Sequence, residues 1–156
     1  MTAEEFVDWL MIDEPVESKA IDWSATSVVA STLRCSTDEM VRVATAANIE
    51  DVDIGYFHFR QPPAIVAHDN EVRCLVGFLE GDVVAVDERT GHVVLLDGAD
   101  QRHVMCHAAL SGSHFLDALF TLSDGWKAGL RGEDLLEKVV GAARHPEAKT
   151  FFQLMI

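Results

Sequence analysis

The stretch from Val72 to Leu96 leaves this chain little choice of architecture. Three apolar, β-branched runs, Val72 to Leu79, Asp82 to Val86 and Gly91 to Leu96, are separated only by Glu80-Gly81 and by Asp87-Glu88-Arg89-Thr90-Gly91. Short strands joined by Gly-bearing turns imply antiparallel hairpins. Upstream, Ile54 to Phe59 is aromatic and β-leaning; Pro62-Pro63 interrupts it, and residues 64–67 resume as a short strand before Asp69-Asn70. Downstream, His103 to His107 alternates polar with apolar and supplies one more strand.

Helical periods flank this block. Thr2-Ala3-Glu4-Glu5 is a capping box ahead of Phe6, Trp9 and Leu10, so a helix is expected over about 3–11. The stretch 12–24 reads as loop, and 25–34 is ambiguous between helix and strand. Ser36-Thr37-Asp38-Glu39 is a second capping box, predicting a helix that presents Met40, Val41, Ala44 and Ala47 and ends near Asn48. Further on, Ser113 can cap a helix carrying Phe115, Leu116, Leu119, Phe120 and Leu122, a stripe that a strand could not bury on one side. Asp124-Gly125-Trp126 marks a turn. Leu135, Leu136, Val139, Val140 and Ala143 define another helix from about Gly132, and Pro146 opens a last short apolar segment. The expected fold is α+β: one domain over 1–156, a mostly antiparallel twisted sheet of five to six strands between N- and C-terminal helices.

Charge narrows the function more than motif does. The 26 Asp and Glu outnumber the 12 Lys and Arg, giving a net charge of -14, and residues 1–59 carry nine of those net negatives. A 49% hydrophobic fraction separates this acidity from that of a disordered tail. A surface so negative repels phosphate backbones and anionic lipid, so neither direct nucleic-acid binding nor membrane docking is expected, and basic protein partners are favoured. No run approaches the ~18 apolar residues of a membrane span, and acids stand where a signal peptide carries basic residues, so a cytoplasmic location is expected. Cys35, Cys74 and Cys106 form no CxxC and read as reduced core thiols. Trp9, Trp23 and Trp126 flank the sheet block, where core packing outweighs an interface role.

Seven histidines raise the question of a metal. His103 and His107 stand four apart, and on a strand they share a face because four is an even number. Spacing identifies no third ligand, so no metal and no cofactor is assigned. His145-Pro146-Glu147 has the HxE form of a zinc nucleobase deaminase but lacks the downstream PCxxC that such chemistry needs. Ser111-Gly112-Ser113-His114 sets hydroxyls beside an imidazole without the GxSxG register of a nucleophile elbow. Cys106 and His107, adjacent on a strand, point to opposite faces. No polar group stands at the spacing its chemistry requires, and no catalytic residue is assigned.

From Glu71 to Ser123 the order of features is a strand to Gly81-Asp82, a strand ending in Asp87, a Thr90-Gly91 turn, a strand ending in Asp97, and a Ser-bearing cap (Ser111 or Ser113) into a Phe/Leu-rich helix. This third of the chain resembles the SUKH superfamily, chiefly the bacterial immunity proteins of polymorphic toxin systems. It lacks that family's early Leu-Pro motif and the Asn before the final helix, so the resemblance is a divergent one. The resemblance implies a non-catalytic domain that neutralises a cognate toxin, often a nuclease or deaminase, by binding it. Such toxins are often basic because they grip phosphates, and an acidic inhibitor gains on-rate from steering. The contact acids expected are Glu50, Asp51, Asp53, Asp82, Asp87, Glu88, Asp97 and Asp100. The alternatives are an adaptor for another cellular protein, or a small metal-binding enzyme using His103 and His107.

Overall fold

The computed structural model describes residues 1–13, 23, 31–46 and 53–156. The expected loop over 12–24 and the ambiguous 25–34 lie largely outside the described residues, as do the C-terminal end of the second helix near Asn48 and the acids Glu50 and Asp51.

A six-stranded antiparallel meander forms the body of the fold, with spatial order equal to chain order. Its strands are β1 (Asp53–Ile54), β2 (Phe57–His68), β3 (Glu71–Leu79), β4 (Asp82–Asp87), β5 (Val93–Leu96) and β6 (Val104–Ala109). Five helices accompany it: α1 (Ala3–Asp13), α2 (Glu39–Ala46), α3 (Gly112–Lys127), α4 (Gly132–Ala143) and α5 (Ala148–Gln153). The α+β architecture is therefore the one the sequence implies.

The main core lies between the sheet and the helices. Phe6, Met40, Phe57, Val84, Val86, Leu95, Phe115, Leu119, Phe151 and Phe152 are all buried in one cluster. Edge-on ring pairs, Phe57 against Phe115 at 5.4 Å and Phe115 against Phe151 at 5.5 Å, join β2 to α3 and α5. Strands β4 and β5 also bury their other side, where Leu75, Val83, Ala85, Val94 and Leu96 form a second cluster. On that side the Arg73 guanidinium donates to the carbonyls of Gln101 and Arg102, drawing the β5–β6 loop over the sheet.

Five local expectations are corrected. Pro62-Pro63 does not end the strand: β2 runs through it, and the pairing with β3 shifts register between Phe59 and Ala64. The prolines are tolerated because, among the described residues, β1 pairs only with residues 57–58 and no second strand runs beside 62–63. Ile54 and Phe57 belong to different strands, joined by a tight turn at Gly55-Tyr56. The cap of α2 is Asp38 rather than Ser36, since its carboxylate accepts from Met40 N–H at 2.9 Å. The cap of α3 is Ser111, which accepts from His114 N–H, while the Ser113 hydroxyl donates to the Met1 carbonyl. Finally, Asp124-Gly125-Trp126 is helical. Gly125 is there because Leu135 of α4 packs against it, and a Cβ would lie 2.3 Å from the Leu135 Cδ1. Close helix approach, and not a turn, accounts for that glycine.

Candidate functional site

In a meander, alternate turns fall at the same end of the sheet. The register places Phe57 beside Leu79, and Val83 beside Leu96. The β1–β2, β3–β4 and β5–β6 connections therefore leave from one end, which carries Asp53, Glu80, Asp82 and Asp97, while Asp100 stands further along the β5–β6 loop, next to Gln101 and Arg102, whose carbonyls Arg73 holds over the sheet. The β3–β4 and β5–β6 turns touch: a Cβ on Gly98 would fall 1.9 Å from the Gly81 carbonyl oxygen. Asp82 stitches them by accepting from Gly98 N–H at 3.0 Å. Asp97 accepts from Ala99 N–H at 2.7 Å, and Asp100 pairs with Arg102, which holds its carboxyl below the usual carboxylate range. Asp53 contacts the His58 imidazole. Arg102 is the one Lys or Arg among the described residues of these turns, so the rim is strongly negative.

Asp87 and Glu88 lie at the opposite end and have internal work. Asp87 accepts from Thr90 N–H and Oγ1 at 2.8 and 2.9 Å, shaping the β4–β5 turn, and faces Arg73. Glu88 accepts from Arg34 N–H at 2.6 Å and Cys35 N–H at 2.8 Å. Burial pushes the Glu88 carboxyl up, but those two N–H groups outweigh it and its pKa is lowered. Sequence reasoning grouped these two acids with the others; the topology separates them.

That far end holds a second constellation, which spacing alone did not reveal. His92, at the start of β5, follows a turn in which Gly91 takes φ +75°. His107 lies on β6, and its N–H donates to a Glu147 carboxylate oxygen at 3.2 Å. His145 follows α4: Arg144 ends the helix in a left-handed conformation, Pro146 bars its continuation, and Leu110 N–H donates to Ala143 O at 3.0 Å, holding the corner against β6. The three half-buried rings converge, with centroids 5.3 Å (His92–His107), 5.2 Å (His92–His145) and 4.6 Å (His107–His145) apart. His107 Nδ1 lies 2.7 Å from Glu147 Oε2. Burial first, then the neighbouring imidazoles, lowers the pKa of His92 and of His145. His103 is elsewhere, exposed in the β5–β6 loop, with its carbonyl accepting from Asp97 N–H. The expected His103/His107 pair is thus corrected: His107 is at the cluster, and its neighbours are His92 and His145. The HxE tripeptide was the available signal, since His145 and Glu147 both stand there.

The remaining candidates are structural. Cys35, Cys74 and Cys106 are free and buried. Cys74 beside it, burial and Glu88 raise the Cys35 thiol, and burial pushes Cys106 up to about 11, so neither is a ready thiolate. Ser111 Oγ lies 2.9 Å from His114 Nδ1 within the helix cap. Trp9 packs edge-on against Phe120 at 5.2 Å, and Trp126 lies against the main core, whereas Trp23 is 41% exposed, with Arg42 over its ring. Among the described residues no helix is long and apolar enough to cross a membrane. Compared with known proteins, the chain matches no family model, no curated protein and no solved structure.

Proposed function

We propose that this chain is a non-catalytic, acidic protein-binding domain that neutralises a cognate toxin, of nuclease or deaminase type, by covering its basic surface. The observation that carries the reading is the gathering of Asp53, Glu80, Asp82 and Asp97 at one end of the sheet, with Asp100 in the loop that leaves it, in a chain of net charge -14. Six strands at ~4.8 Å spacing spread that rim over roughly 24 Å, the width of a standard protein interface. Two touching turns, braced by the Asp82 carboxylate, hold part of it in shape before any partner arrives. A pre-ordered negative surface raises the encounter rate with a cation-rich partner and loses little entropy on docking.

Asp82, Asp97 and Asp100 all accept main-chain N–H groups of the turns, so the separable contacts are Asp53 and Glu80, both exposed. Glu80 has φ +55°, a conformation Asn accepts readily. The double variant Asp53→Asn, Glu80→Asn should keep its urea midpoint and bind the proposed partner, a basic toxin domain encoded beside this chain, at least tenfold more weakly. Equal affinity for that protein in variant and parent would remove the rim from the mechanism.

A further inference from the structure

We propose that His92, His107 and His145 form a binding site for a divalent transition metal of the zinc class. Each histidine offers one ring nitrogen, and the three atoms lie within 4.8 Å of one another. Tetrahedral zinc with Zn–N bonds of 2.0–2.1 Å needs nitrogens about 3.4 Å apart. Closing the site therefore needs at most about 1.4 Å per pair, a distance within the reach of side-chain torsions.

Several independent features prepare the rings. Glu147 Oε2 at 2.7 Å fixes the proton of His107 on Nδ1 and leaves Nε2 free, the carboxylate–histidine arrangement that orients metal-bound imidazoles. His92 Nδ1 is buried without a hydrogen-bond partner, an orphan that a metal would satisfy. His145 Nδ1 is approached by Glu147 N–H at 3.3 Å, a long contact that a ligating ring can give up. All three rings are half-buried and so remain reachable from solvent. Imidazole nitrogen selects zinc, nickel and copper over calcium or magnesium. Three protein ligands leave a fourth position for water.

The elements joined are the start of β5, the edge strand β6 and the α4–α5 corner. A bound ion would tie that corner to the sheet, and by mass action would raise resistance to unfolding. His92 stands at the opposite end of the sheet from the acidic rim, so this site holds or fails independently of the proposed partner binding.

Cobalt(II) is the probe, because tetrahedral coordination gives it intense visible absorption. The full chain, free of a polyhistidine tag, is titrated with Co2+ and then with Zn2+ in competition. One Co2+ per chain is expected, with tetrahedral bands that Zn2+ displaces. His92→Gln, His107→Gln and His145→Gln should each weaken binding at least tenfold, while His68→Gln and His103→Gln bind as the parent does. Imidazole 15N spectra of the unaltered chain give a second reading that needs no variant: Zn2+ should shift the rings of His92, His107 and His145 and leave His58 and His68 in place. No binding at about 100 μM metal, binding unchanged in all three variants, or ring shifts confined to other histidines would overturn the proposal.

Discussion

Asp38 joins two helix beginnings through one side chain. Its carboxylate accepts from Met40 N–H at 2.9 Å at the start of α2 and from Gly112 N–H at 3.0 Å at the start of α3. Gly112 allows the approach, since a Cβ there would lie 1.9 Å from Asp38 Oδ1. Gly112→Ala must displace that carboxylate, and both it and Asp38→Ala should lower stability by roughly 1–3 kcal/mol in urea unfolding, the cost of orphaning buried main-chain donors. Burial raises the Asp38 carboxyl from 3.8 to about 6, against the pull of the N–H groups it accepts from. Because the folded chain then binds this proton more tightly than the unfolded one, its contribution is full below about pH 4 and is lost as pH rises toward 6. Asp38→Asn removes that titration. The parent should therefore lose stability relative to the variant as pH rises from about 4 to 6, and a difference constant over that range would refute the raised pKa.

Helix starts and strand turns show how far local sequence reaches. The α1 capping box is realised, with Thr2 N–H donating to Glu5 Oε2 at 2.8 Å and Glu5 N–H to Thr2 Oγ1 at 3.2 Å. At α3 two serines compete, and the structure gives the cap to Ser111. Ser111→Ala should cost about 1 kcal/mol in urea unfolding and more than Ser113→Ala, which removes no helix cap. The meander was legible because Gly81 and Gly91 punctuate runs of β-branched residues. Pro62-Pro63 misled because tolerance of proline depends on whether a neighbouring strand exists, a fact about the sheet and not the segment. Gly125 misled in the same way, because Leu135 lies ten residues away and its approach is tertiary. The acidic rim was half legible: acids flanking alternate turns of a meander must share an end, but only the register separates Asp82 and Asp97 from Asp87 and Glu88. Only the HxE tripeptide hinted at the histidine cluster, since 92, 107 and 145 follow no period and meet only through the α4–α5 corner.

For the whole molecule, the proposed function gives the two ends of the sheet different parts. At the far end, carboxylates are consumed internally: Arg73 pairs with Glu71 at 2.7 Å and faces Asp87, and Glu88 serves the main chain. At the near end Asp53 and Glu80 are exposed, and Arg102 offsets only part of the negative field. An interface dominated by such a field is steered, so its association rate falls with salt over the range in which the Debye length drops from ~10 Å to ~3 Å. The most direct test of the proposed function is the association rate constant for a basic toxin domain encoded beside this chain, measured from about 0.1 to 1 M salt. A fall of tenfold or more with a much smaller change in dissociation rate is expected, whereas a rate indifferent to salt would contradict the proposed steering.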